Sequence, residues 1–358
     1  MRIHGIDHVE YYTSNLEKSA AELCGAFGFR IAGQAAAGAG RPSALLRQGQ
    51  IRLLLTAAGP GQDQAARYLS RHGSGVGVIA FGCSDVATTF DEVVAAGAVP
   101  VAGPSFAGSG SDRTGTAVVG GFGDVLHKLV ERADPGGKFA PGLIDEEHDG
   151  AAAEPAAGSL LEQLDHIAVC LPAGELDKVV AFYRDVFGLA QIYDERIEVG
   201  TQAMISKVVQ DHDALVTFTL IEPDVSREPG QIDEFLRAHG GAGVQHLAFR
   251  TADIARAVRT ISDRGIEFLI APSGYYQALR ARLGDLAIPV DVLRDLNVLA
   301  DTDRWGQMYQ IFARSTHERH TFFIELIERR GALTFGSRNI KALYEALDDE
   351  HAGNHALT

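Results

Sequence analysis

The sequence predicts an α+β fold of tandem βαβββ modules, arranged as two related half-barrels. Three repeated segments carry the prediction. Residues 5–29 (GIDHVEYYTSNLEKSAAELCGAFGF) and 163–188 (QLDHIAVCLPAGELDKVVAFYRDVFG) share one layout. Each has Asp-His, then alternating apolar residues, a polar turn, and an amphipathic helix ending near Phe-Gly. Residues 75–98 (GVGVIAFGCSDVATTFDEVVAAGA) parallel 243–266 (GVQHLAFRTADIARAVRTISDRGI). Both read as a strand, a turn with a polar N-cap, and a helix. VLHKLVER (125–132) parallels FFIELIER (322–329), a closing strand in each half.

Between the halves, residues 133–160 are rich in Gly, Pro and Ala, with an acidic run DEEHD at 145–149. They show no sustained periodicity and read as a linker. The expected organisation is therefore a metal-free domain at 1–132, a linker at 133–160 and a catalytic domain at 161–358. The surplus length of the second half lies mainly between residue 266 and Gln310.

Composition narrows the function. The 358 residues are 46% hydrophobic and 22% charged, enough to bury large cores. The formal charge of −15 argues against nucleic acid or an anionic membrane surface as partner. Cys24, Cys83 and Cys170 are far apart, so neither a disulfide framework nor a zinc-thiolate site is expected. No membrane-length apolar run and no signal-like start is read, and a cytoplasmic enzyme is expected.

The repeat also filters for chemistry. Residues kept in both halves read as structural, and polar strand residues present in one half read as functional. His166 matches His8, but His246 aligns with Val78 and Glu325 with Lys128. The second half thus holds His, His and Glu where the first holds His, Val and Lys. Two imidazoles and one carboxylate form the ligand set of a non-heme iron site with open positions. A lone strand His is usually a satisfied core residue. A Glu inside FFIELI is harder to explain that way, because an unpaired buried carboxylate is costly. On the residues alone, a metal site and a set of buried structural side chains both stand.

LDHIAV, GVQHLAF and FFIELIER, with GQMYQIF (306–312) and LTFGSRNIKALYEAL (333–347), resemble the vicinal oxygen chelate superfamily. Within it the likeness is to the 4-hydroxyphenylpyruvate dioxygenase group, from about residue 3 to about residue 346. The resemblance implies Fe(II) held by His166, His246 and Glu325. It implies 4-hydroxyphenylpyruvate and O2 as reactants, a C-terminal helix that lids the site, and a homo-oligomer. It also implies a pocket of Ser206, Thr219, Ile221, Gln310, Phe312, Phe323, Phe335 and Ile340.

Two products are known for this group. Ring oxidation gives homogentisate, and benzylic hydroxylation gives 4-hydroxymandelate. The strand residues Thr219 and Ile221, and Ile340 in Arg338-Asn339-Ile340, resemble the mandelate-forming pattern, so decarboxylation with benzylic hydroxylation is expected. Ile324 stands where Phe is common in the group; strand alternation should turn it away from the metal face.

Other readings are an extradiol ring-cleaving dioxygenase and a metal-free binding protein of the same superfamily. The long insertion argues against the first, and the complete His, His, Glu set against the second. His317 and His320 read as exposed loop residues, and Cys170 as core. No GxGxxG follows a strand, so nucleotide binding is unsupported.

Overall fold

The computed structural model describes residues 3–344, except 37, 39, 62, 147–158, 273 and 337. The first half contributes strands β1 (Ile3–Tyr12), β2 (Arg30–Ala35), β3 (Ser43–Gln48), β4 (Ile51–Thr56), β5 (Gly75–Cys83), β6 (Pro100–Ala107), β7 (Thr114–Gly120) and β8 (Leu126–Arg132). A short β9 (Ile144–Glu146) follows. The second half contributes β10 (Gln163–Cys170), β11 (Ala190–Val199), β12 (Gln202–Gln210), β13 (Thr217–Pro223), β14 (Gly243–Arg250), β15 (Leu299–Thr302), β16 (Gln307–Phe312) and β17 (Phe323–Arg330).

Strand order reveals the duplication. The first sheet runs β6-β7-β8-β5-β1-β4-β3-β2-β9, and the second β11-β12-β13-β10-β14-β17-β16-β15. Read from the opposite end, the second sheet repeats the first strand for strand, apart from β9. That extra strand pairs antiparallel with β2 through Ala35 and Ile144, so part of the segment read as linker is built into the sheet. The rest of the acidic run, residues 147–149, lies outside the described residues.

Local chemistry places the helices. Asp85 accepts from the Thr88 N–H at 2.8 Å, and Asp253 from the Arg256 N–H at 2.9 Å. Each satisfies an orphan donor at the start of a helix, Val86–Ala95 and Ile254–Asp263. A second carboxylate helps from the neighbouring strand. Glu131 accepts from the Val86 N–H and Glu328 from the Ile254 N–H. The Glu of the repeated Val-Glu-Arg and Ile-Glu-Arg is thus a helix cap supplied across the module.

The largest apolar cluster draws on both halves, including Phe81, Phe187, Phe218 and Phe249. Tyr183 and His127 are joined across it at 3.0 Å. Among the described residues no helix is long and apolar enough to cross a membrane. His317 departs from its expected exposure. It is buried, with Nε2 at 2.7 Å from the Ser74 carbonyl of the other half. A partner 243 residues away leaves no local signal. His320 is exposed as expected.

Candidate metal centre

Register brings the three side chains together. His166 on β10 stands opposite Ala248 on β14, and Ala248 opposite Glu325 on β17. Ala248 leaves room between them for the two longer side chains. His246 lies two residues from Ala248 on the same face. A β-bulge at Gln245 sets this alignment, because Val169 and Ala168 pair with Val244 and His246. Glu325 Oε2 lies 3.3 Å from His166 Nε2 and 3.2 Å from His246 Nε2. One ligand atom from each of the three lies within 4.8 Å of the others. All three are buried, at 3%, 6% and 1% exposure for His166, His246 and Glu325. Ile324 faces the opposite, apolar core, as alternation predicts.

His166 and Glu325 are each oriented from behind. Asp165 accepts from His166 Nδ1 at 2.9 Å, which fixes a proton there and turns Nε2 toward Glu325. Arg329 grips Asp165 with two parallel bonds, Nε to Oδ2 and Nη2 to Oδ1, both 2.8 Å. Its third nitrogen holds the Thr334 carbonyl, and the guanidinium lies over the Phe335 ring. Phe335 in turn packs edge-on to His166 at 5.5 Å. Gln310 donates to Glu325 Oε1 at 2.9 Å, Asn339 to Gln310, and Tyr275 to Asn339. This chain ties the carboxylate to the helical segment 338–344.

Burial works against every charge here, and the partners decide which survive. Burial alone would raise Asp165, but the Arg329 charge and the His166 and Arg329 hydrogen bonds hold it well below the usual carboxylate range. Glu325 is likewise lowered to about 2, against burial, by both imidazoles. Burial would lower His166, yet Glu325 and Asp165 push it up to about 9. His246 is lowered, chiefly by burial, so it stays neutral. The site therefore holds one imidazolium, one neutral imidazole and one carboxylate before any cation enters.

The expected pocket residues fall into two groups. Thr219, Ala168, His246 and Phe323 form one row across β13, β10, β14 and β17. Phe312 stands opposite Glu325 on β16, and Phe323 stacks on His246 at 4.8 Å. Thr219, Gln310, Phe312, Phe323 and Phe335 thus surround the triad. Ile221 and Ser206 pair with each other one step along β13 and β12. Ile340 packs with Ile221 in an apolar cluster with Cys170 and Tyr344. Thr219 Oγ1 is buried with no hydrogen-bond partner.

Asp165, Arg329, Asn339 and Gln245 were not singled out by sequence reasoning. The Asp and Arg recur in both halves, as Asp7 and Arg132, and so read as structural. Asp165→Asn should weaken metal binding by about 10–100-fold, the usual cost of losing such a support. The introduced amide would donate to Nδ1 and drive the ring proton onto Nε2. Anaerobic metal titration measures it, and unchanged affinity would remove Asp165 from this role.

Residues 5–114 and 163–309 match the glyoxalase/bleomycin resistance protein/dioxygenase superfamily model. The chain belongs to this superfamily. Its structure is similar to that of a triple mutant of 4-hydroxymandelate synthase from Streptomyces coelicolor, with a TM-score of 0.89 and 40% identity. That match covers 98% of this chain and 100% of the other. A probable 4-hydroxyphenylpyruvate dioxygenase 2 from Aspergillus fumigatus is 31% identical, over 97% of this chain and 94% of its own. The 4-hydroxyphenylpyruvate dioxygenase of Xenopus tropicalis is 29% identical, over 100% of this chain and 94% of its own.

Proposed function

We propose that this chain is an Fe(II)-dependent oxygenase that converts 4-hydroxyphenylpyruvate and O2 to 4-hydroxymandelate and CO2. The observation that carries the reading is the buried two-imidazole, one-carboxylate cluster, seated in a chain that aligns end to end with a 4-hydroxymandelate synthase. The catalytic half is assigned to 161–358, the metal-free half to 1–132, with 133–160 between them.

The residues fit a divalent cation. Neither nitrogen of buried His246 makes a hydrogen bond, although Nε2 lies 3.2 Å from the Glu325 carboxylate. A neutral imidazole orphaned in this way lacks an electrophilic partner. Glu325 Oε1 is occupied by Gln310, while Oε2 faces both rings. His166, His246 and Glu325 would hold the metal, and the donor set suits Fe(II) with positions left open. Bound there, Fe(II) would supply open coordination positions for a 2-oxo acid and O2, and the oxo acid itself would give up the electrons that reduce O2.

The protein's own side chains do the positioning. Asp165 keeps a proton on His166 Nδ1. Phe312 and Phe323 present aromatic faces beside His246. Thr219 Oγ1 offers an unspent hydroxyl to the substrate. The helical segment 338–344 and Phe335 keep water out. Asp165 and Arg329 cancel, so a metal with Glu325 leaves one net positive charge, matched to a monoanionic oxo acid.

Metal binding must displace the proton from His166. With that group at about 9, close to one proton should be released per metal bound at neutral pH. Apparent affinity should then rise with pH up to that value. Calorimetry in buffers of different ionisation enthalpy measures the release, and a value near zero would contradict this protonation scheme.

Anaerobic loading with Fe(II), then 4-hydroxyphenylpyruvate and O2 with product identification, tests the function itself. Homogentisate as the main product would move the chain to the ring-oxidising activity, and no turnover would overturn the reading.

A further inference from the structure

The first half repeats the brace of the metal centre around a different set of charges. Asp7 accepts from His8 Nδ1 at 2.6 Å, and Arg132 grips Asp7 at 2.7 and 2.8 Å. Phe139 packs edge-on to His8 at 4.8 Å, with the Arg132 guanidinium over its ring. These are the counterparts of Asp165, His166, Arg329 and Phe335. His8 is only 4% exposed, and its Nε2 has no hydrogen-bond partner.

Where the second half has Ala248 flanked by His166 and Glu325, the first has Ala80 flanked by His8 and Lys128. Glu10, on the Ala168 position, pairs with Lys128 at 3.2 Å and accepts from Thr56 at 2.8 Å. An ammonium at the carboxylate position and a single imidazole exclude the metal. The arrangement does not close up, however. His8, Glu10 and Lys128 line a cavity of about 340 Å³, within the roughly 300–1,000 Å³ of small-molecule sites.

We propose that this cavity binds a small hydroxylated aromatic carboxylate at a site separate from the metal centre. Three features of its wall specify the class. His8 Nε2, with the ring proton held by Asp7, is an acceptor and calls for a hydroxyl donor. Lys128 spends one of its three N–H bonds on Glu10, and Arg41 lies 3.9 Å from its nearest carboxylate, Asp63, so both have donors for an anion. Phe106 and Phe139, each with an arginine over its ring, line the cavity with Leu54 and Val130 and give it an apolar wall for a flat body. Burial keeps His8 neutral, consistent with its accepting role.

The test uses 3-fluoro-4-hydroxyphenylacetate with the metal-free full chain, followed by fluorine NMR. Saturable binding is expected. It should weaken by at least about 10-fold in His8→Phe and in the paired Glu10→Gln/Lys128→Met, which removes both charges together, and stay unchanged in His166→Ala. The analogue without the hydroxyl should bind more weakly to the natural chain, and the difference should vanish in His8→Phe. As a check independent of buried substitutions, Phe106 is 51% exposed, and the emission of Phe106→Trp should change saturably with the probe. Binding that survives both first-half changes, binding lost with His166→Ala, or no emission change at Phe106→Trp would overturn the proposal.

Discussion

Glu325→Gln should abolish tight metal binding and lower turnover by more than ~100-fold, beyond the effect of losing an outer support. Glu325 is the only carboxylate in the triad, and its Oε2 is the atom both imidazoles face. The amide keeps a partner for Gln310, so the variant isolates charge from packing. Metal content and steady-state rate measure it together. Tight metal retained with turnover within about 10-fold would remove Glu325 from the ligand set. An unchanged capacity to bind the oxo acid, with no metal in either protein, would favour a binding protein instead.

The same substitution has a signature in the metal-free protein. His166 sits at about 9 against an ordinary 6.5, so its contribution to stability is full below pH 6.5 and is lost as pH rises through 9. Glu325, lowered from 4.5 to about 2, contributes above pH 4.5 and loses that contribution as pH falls through 2. Metal-free protein should therefore melt at lower temperature as pH rises from 6.5 to 9. Glu325→Gln should flatten that slope, since the charge that raises His166 is gone.

The fold was legible because duplication is visible in Asp-His and in Leu-Val-Glu-Arg against Leu-Ile-Glu-Arg without any structure. The triad was legible as the places where the two copies differ, His246 for Val78 and Glu325 for Lys128. The register rows confirm those equivalences residue by residue. The supporting residues were hidden by the same logic. Asp165 and Arg329 recur in both halves because both halves orient a histidine, one beside the metal site and one in a cavity. Retention in both copies thus marks a shared histidine brace, which the comparison of the halves cannot tell from plain structural conservation. Gln245 depends on a bulge, which is a property of two strands and not of one sequence window. The Glu325–Gln310–Asn339–Tyr275 chain joins four segments that only tertiary packing brings together. His317 fails for that reason too, since its partner is in the other half.

Product choice should turn on two isoleucines. Ile221 and Ile340 share one apolar cluster with Cys170 and Tyr344, one step along β13 from Thr219 in the row that carries His246. The ring carbon and benzylic carbon of the substrate are adjacent, and a misplacement of ~1 Å can cost about 100-fold in rate. A side chain that tilts the ring by a fraction of that distance is enough to reweight the two outcomes. Ile340→Phe replaces a branched, non-planar contact with a flat one on the segment that Asn339 and Gln310 tie to Glu325. Ile221→Asn adds an amide opposite Ser206 in the strand register. Together they should raise the homogentisate-to-hydroxymandelate ratio by at least about 10-fold, with metal binding unchanged. Overpacking at 340 costs roughly 1–3 kcal/mol, so the melting temperature is followed alongside the product ratio. A folded, metal-loaded double variant with the same ratio as the natural chain would show that these contacts do not steer the reaction.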